Sequence, residues 1–119
     1  MRLLLAFCFI IMLSLNSYAD DSDGVTVRSY RKFVQDPSTR VAAQYFVMGV
    51  GLGYVFGSAW GQNQLGNRPI VCPPPKLPIS GRVVLNIFDN YIKNLRPDME
   101  DQTIILVMPF ALQNALPCN

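Results

Sequence analysis

The chain contains no histidine. That absence removes the commonest general base and the commonest metal ligand. Histidine-dependent triads, histidine-containing zinc sites and HExxH proteases are excluded within these 119 residues. Charge is also scarce. Only 15% of the residues are charged and the formal net charge is +2. So weak a balance argues against a strongly electrostatic nucleic-acid binder. What is abundant is apolar surface: 50% of the residues are hydrophobic, which excludes a solvated, disordered chain. The length admits one small domain.

The first residues carry a targeting pattern. Met1 and Arg2 precede an apolar run from Leu3 to Leu15, broken only by Ser14, and Asn16-Ser17-Tyr18-Ala19-Asp20 follow. A positive start, a run of about 13 apolar residues and a small-x-small site describe a secretory signal peptide. The expected cleavage lies between Ala19 and Asp20, giving a signal peptide over residues 1–19 and a single domain over residues 20–119. A membrane anchor is the other reading, but the run is shorter than the roughly 20 residues a spanning helix needs. Phe7, not a small residue, precedes Cys8, which argues against lipidation.

Cleavage removes one of three cysteines, Cys8, and one of ten basic residues, Arg2. Nine basic side chains then face eight acidic ones. Cys72 and Cys118 remain. An even pair in an exported chain reads as a disulfide. It would close a loop of about 47 residues, a chain-entropy effect of roughly 4 kcal/mol. The alternative, a reactive or metal-binding thiol pair, has neither CxxC spacing nor a histidine to support it.

The rest of the chain reads as helices. Asp20 to Gly24 is an acidic, polar leader. Val25 to Gln35 suits a short helix. Asp36-Pro37 signals the start of a long one, expected over about Pro37 to Gly61. Val41, Tyr45, Met48, Leu52, Phe56 and Ala59 recur at helical steps and predict its buried face. Gly49, Gly53, Gly57 and Gly61 recur at every fourth position, a stripe that lets another backbone approach. No charge lies between Arg40 and Arg68. The segment is therefore either the central helix of a small soluble bundle, the favoured reading, or a membrane-spanning glycine zipper. Five prolines between Gly66 and Gly81 make a stiff connector. A PxxP ligand is the alternative there. Ser80 then caps a helix over about Gly81 to Leu95, with Val84, Phe88, Tyr91, Ile92 and Leu95 on its apolar face. The last element begins near Asp98 to Asp101 and runs to Leu116. Pro109 is expected to kink or split it, and Ile104 to Phe110 is β-rich enough for a strand.

No catalytic constellation emerges, and no cofactor or metal site is expected. Gly49-Val50-Gly51-Leu52-Gly53 lies inside a helix and lacks the strand–turn–helix context of a dinucleotide loop. Gly57-Ser58 does not match GxSxG. Asp98, Glu100 and Asp101 could form a metal or acid/base cluster, but a capped helix start explains them. Arg28, Arg31 and Lys32 with Tyr30 and Phe33 could stack on a single strand of nucleic acid. An amphipathic segment whose aromatics face the core is the favoured reading.

Three motifs carry a resemblance. They are Val71-Cys72-Pro73-Pro74, then Tyr91-Ile92-Lys93-Asn94-Leu95-Arg96-Pro97, then Ala111-Leu112-Gln113-Asn114-Ala115-Leu116-Pro117-Cys118. In order and spacing, over most of residues 26–118, the chain resembles the Rap/Tai type of type VI secretion immunity proteins. Pro109 and Leu116 depart from that pattern, which has a continuous final helix and an aromatic residue at those places. The resemblance implies an all-α periplasmic bundle with one disulfide. It implies a non-catalytic role, binding and occluding a peptidoglycan amidase effector, and it admits homodimers. The charge balance leads to the expectation of no nucleic-acid partner, and the signal peptide to contact with a membrane only during export. The resemblance does not say which residues meet the effector. The physical expectation is the exposed loop near Asn63, Gln64, Asn67 and Arg68, because loops on a rigid scaffold can enter a cleft. Two other classes compete: a periplasmic acid-stress chaperone of the Hde type, and a small inner-membrane protein built on the glycine stripe. Few charges are available for the first to switch with pH. Release with the periplasm would exclude the second.

Overall fold

The computed structural model describes residues 24–119. The expected signal peptide and its expected cleavage point, Cys8 and most of the acidic stretch after it lie outside these residues. The described chain is an all-α bundle of four helices: α1 (Val27–Gln35), α2 (Arg40–Leu65), α3 (Gly81–Ile92) and α4 (Ile104–Ala115). A 3₁₀ turn over Pro97–Met99 precedes α4. No strand forms among the described residues. Thr26 and Thr103 make an isolated antiparallel bridge that pins the start of α1 to the start of α4.

Local chemistry sets the helix ends. Thr26 and Ser29 form a capping box: Thr26 Oγ1 accepts the Ser29 N–H at 3.1 Å and Ser29 Oγ accepts the Thr26 N–H at 2.9 Å. Ser80 caps α3 as expected, its hydroxyl accepting from the Val83 N–H. Helix α2 departs from expectation at both ends. Asp36 does not cap it. Its carboxylate accepts from the Ser38 backbone N–H and hydroxyl, which closes a separate turn, and the helix starts at Arg40. At the other end α2 runs past Gly61 to Leu65, and Gly66 stops it with a left-handed φ of 66°.

The core is one cluster. Tyr30, Phe88, Ile104, Met108 and Leu112 are its largest fully buried side chains. Tyr30 and Phe88 meet edge to face with centroids 5.5 Å apart. The Tyr30 hydroxyl donates to Asp89 at 2.7 Å. Burial first, and then that hydrogen bond, push the Tyr30 pKa upward.

The face that α2 buries is not the expected one. Ala43, Val47, Gly51, Val55 and Ser58 face the core. Val41, Tyr45, Phe56 and Ala59 are exposed, and Met48 and Leu52 are only half-buried. At 100° per residue the true face is rotated by about 120° from the expected one. The reason is Gly51. A Cβ built there would stand 1.9 Å from Val84 Cγ1, so only glycine lets α2 lie this close to α3. Gly49, Gly53 and Gly57 belong to the opposite side, where an added Cβ meets nothing.

Pro109 does not split α4 into two pieces, and the first half of α4 is not a strand. The helix is continuous over Ile104–Ala115. Proline has no N–H for the carbonyl four residues back, which is that of Ile105. The Tyr54 hydroxyl on α2 donates to that carbonyl at 2.8 Å. The group orphaned by Pro109 is thereby satisfied from a neighbouring helix.

The proline-rich connector is fixed at both ends. Cys72 and Cys118 form a disulfide, and the Cys72 N–H donates to the Leu116 carbonyl at 3.0 Å. On the α2 side, buried Ser58 accepts the Ile70 N–H at 2.8 Å.

Candidate interaction surface

The acidic cluster is occupied by α1. Arg28 grips Asp101 with two hydrogen bonds, at 2.6 and 3.1 Å. Arg31 grips Glu100 at 2.9 and 3.1 Å and also donates to the Ile92 carbonyl. Asp98 pairs with Arg96 at 3.2 Å. Such bidentate forks hold geometry well. The hydrogen bonds from Arg28 hold the Asp101 carboxyl below the usual carboxylate range. Among the described residues, no three of His, Cys, Asp and Glu come together as a metal site. Two of the three cations of the basic patch are thus spent inside the fold. Tyr30, one of its two aromatics, is buried.

Several concavities mark the surface, and two of them flank the helices described above. A cleft of about 600 Å³ lies between the end of α3 and α4, lined by Asn90, Tyr91, Asn94, Arg96, Phe110 and Asn114 among others. No carboxylate lines it. An apolar notch of about 260 Å³ lies between α1 and α2, lined by Val25, Phe33, Thr39, Ala42, Ala43 and Phe46.

The largest exposed apolar surface belongs to α2. Tyr45 is 68% exposed, Phe56 64%, Trp60 61%, Leu65 62% and Phe46 39%. The helix is 26 residues long and apolar enough to cross a membrane by length and composition, with 28% of its most apolar window buried in the bundle. Two of these aromatics, Tyr45 and Phe56, belonged to the face expected to be buried.

The expected effector-contacting residues lie at the tip of this helix. Asn63 and Gln64 are not in a loop. They occupy the last turn of α2, and both are exposed. Asn67 and Arg68 follow the Gly66 turn and are exposed as well. The turn is anchored: the Gly66 and Asn67 N–H groups both reach back to the Gly61 carbonyl, and Ser58 holds Ile70. The four polar residues therefore stand together on a braced tip. No family model, curated protein or solved structure matches the chain.

Proposed function

We propose that the chain is exported to the periplasm and acts there as an immunity protein, binding and occluding a peptidoglycan amidase effector of type VI secretion. Its activity is obstruction, with no turnover of its own and no cofactor. The observation that carries this reading is the tip of α2. Asn63, Gln64, Asn67 and Arg68 present amides and one guanidinium beside exposed Leu65, on a turn fixed by hydrogen bonds to Gly61 and Ser58. A projection of that chemistry can enter a cleft and hydrogen-bond the main chain lining it, with little ordering cost on binding. The near-neutral charge and the internal pairing of Arg28 and Arg31 favour a protein partner over nucleic acid.

The test is protection in cells that receive the amidase in the periplasm. The full chain is expected to rescue them, and a chain lacking residues 1–19 is expected not to. Equal protection by both, or by neither, refutes the reading. The length and apolarity of α2 favour one other reading, a small inner-membrane protein. Osmotic-shock fractionation separates the two: the immunity reading requires release with the periplasmic fraction.

A further inference from the structure

We infer that the cleft between the end of α3 and α4 binds a neutral saccharide carrying an acetamido group, and holds it without cleaving it. The inference rests on the lining of that cleft and not on the proposed effector. At about 600 Å³ the cleft falls within the ~300–1,000 Å³ range of small-molecule sites. Its lining has an apolar part and a polar part. Tyr91, Leu95 and Met99 are half-buried and pack against the core. Phe110 on α4 is 53% exposed. Asn90, Asn94, Arg96 and Asn114 supply the polar part, and all four are exposed. Phe110 and Asn114 stand four residues apart on α4 and so share one face of it.

The chemistry of this lining selects the ligand. Each asparagine amide both donates, through its NH2, and accepts, through its oxygen. A sugar hydroxyl also does both, and an acetamido group offers one N–H and one C=O, so either can pair with such an amide at two points. Lys93 donates to Asn90 Oδ1 at 2.8 Å, which leaves the Asn90 amide hydrogens to donate. Among the described residues, the one charged group in the lining is the Arg96 guanidinium, and it is paired with Asp98 at 3.2 Å. A charged ligand would find no free counter-charge there, and a neutral one needs none. Tyr91 and Phe110 supply aromatic rings. One face of a pyranose ring is a patch of C–H groups, apolar and slightly positive, which packs on the negative face of an aromatic ring. Leu95 and Met99 offer an apolar seat for the acetamido methyl. Glycoside hydrolysis uses a pair of carboxylates. Among the described residues none lines the cleft, so the sugar is held and not hydrolysed.

The lining is set before a ligand arrives. Arg31 ties the end of α3 to the turn before α4, donating to the Ile92 carbonyl and to the Glu100 carboxylate. Between those points the Leu95 N–H donates to the Ile92 carbonyl at 3.3 Å, and the Met99 N–H donates to the Arg96 carbonyl at 2.9 Å. A segment held this way keeps the ordering cost of binding small.

Isothermal titration of the unreduced chain with N,N′-diacetylchitobiose tests this. One saturable site is expected, with a dissociation constant below ~1 mM. Phe110→Ala is expected to raise that constant at least tenfold with the unfolding midpoint unchanged, and Asn94→Ala with Asn114→Ala is expected to do the same. Phe110→Tyr keeps the ring and is expected to bind as the parent does. Cellobiose has the same two linked rings with hydroxyls in place of the acetamido groups, and is expected to bind at least tenfold more weakly. Absence of saturable binding overturns the inference. Binding indifferent to both sets of alanine variants places the sugar elsewhere and overturns it too. Equal binding of cellobiose overturns the acetamido preference. Tighter binding of N-acetyl-alanine methylamide makes the cleft a peptide site and overturns the saccharide reading, and release of N-acetylglucosamine overturns holding without cleavage. None of these outcomes depends on protection from an amidase, so either reading can fail alone.

Discussion

Replacing Gly51 by alanine adds one methyl group where α2 crosses α3. That carbon would lie 1.9 Å from Val84 Cγ1 and 3.2 Å from Met108 Sδ, so something must move. Val84 is fully buried and β-branched on a helix, which leaves it one strongly preferred rotamer. The helices must therefore separate. Overpacking of this kind costs about 1–3 kcal/mol, and a contact this short belongs in the upper part of that range. The helix gains about 1 kcal/mol from losing a glycine. The net loss is about 1–2 kcal/mol. For a domain of this size that lowers Tm by about 4–16 °C. Gly57→Ala is the internal control, because an added Cβ there meets nothing. It keeps the propensity gain alone and is expected to stabilise by about 0.5–1 kcal/mol. Thermal and urea unfolding of the two variants, with the disulfide intact, read both signs. A Gly51→Ala protein as stable as the parent, or a Gly57→Ala protein that loses as much as Gly51→Ala, would refute the packing argument.

Reducing the Cys72–Cys118 bridge is expected to cost up to about 4 kcal/mol by loop entropy, read as a fall in the urea midpoint after treatment with reductant. Intact-mass measurement of the unreduced chain should find two hydrogens fewer than the dithiol. Tyr54→Phe removes the donor to the Ile105 carbonyl and should cost about 0.5–1.5 kcal/mol. In a Pro109→Ala background the helix supplies its own donor, so the same change should cost nothing, and a double-mutant cycle reads the difference. Asp101 and Asp36 have folded pKa values below their unfolded ones. Their contribution is therefore complete above the usual carboxylate range and is lost as the pH falls through the depressed values. Stability should drop on acidification below that range, and Arg28→Ala should flatten the Asp101 part of the drop.

The all-α class, the Ser80 cap and the disulfide partners were legible because each rests on local or compositional signals. Three features were not, each for a physical reason. With no charge between Arg40 and Arg68, apolar residues encircle α2, and periodicity could not choose between its faces. The decisive residue is a glycine, Gly51, whose only sequence signal is its place four residues from Val47 and four from Val55. The destination of Glu100 and Asp101 was hidden because their partners, Arg31 and Arg28, lie about seventy residues away in sequence. Pro109 is tolerated because of Tyr54, again a long-range contact that no local rule contains. At the candidate site the four polar residues are exposed as expected, but two of them sit on a helix and not in a loop. The chain after Gly61 holds a further helical turn before Gly66 ends α2, so Asn63 and Gln64 ride on a helix and Asn67 and Arg68 on the turn beyond it.

The central claim is obstruction by a binding surface. The direct measurement is digestion of purified peptidoglycan by the amidase effector, titrated with the disulfide-bonded chain. Inhibition is expected to be complete near equimolar ratio, and Asn63→Ala with Arg68→Ala is expected to weaken it at least tenfold without changing the unfolding midpoint. Digestion at an undiminished rate in a tenfold excess of the chain would contradict the account.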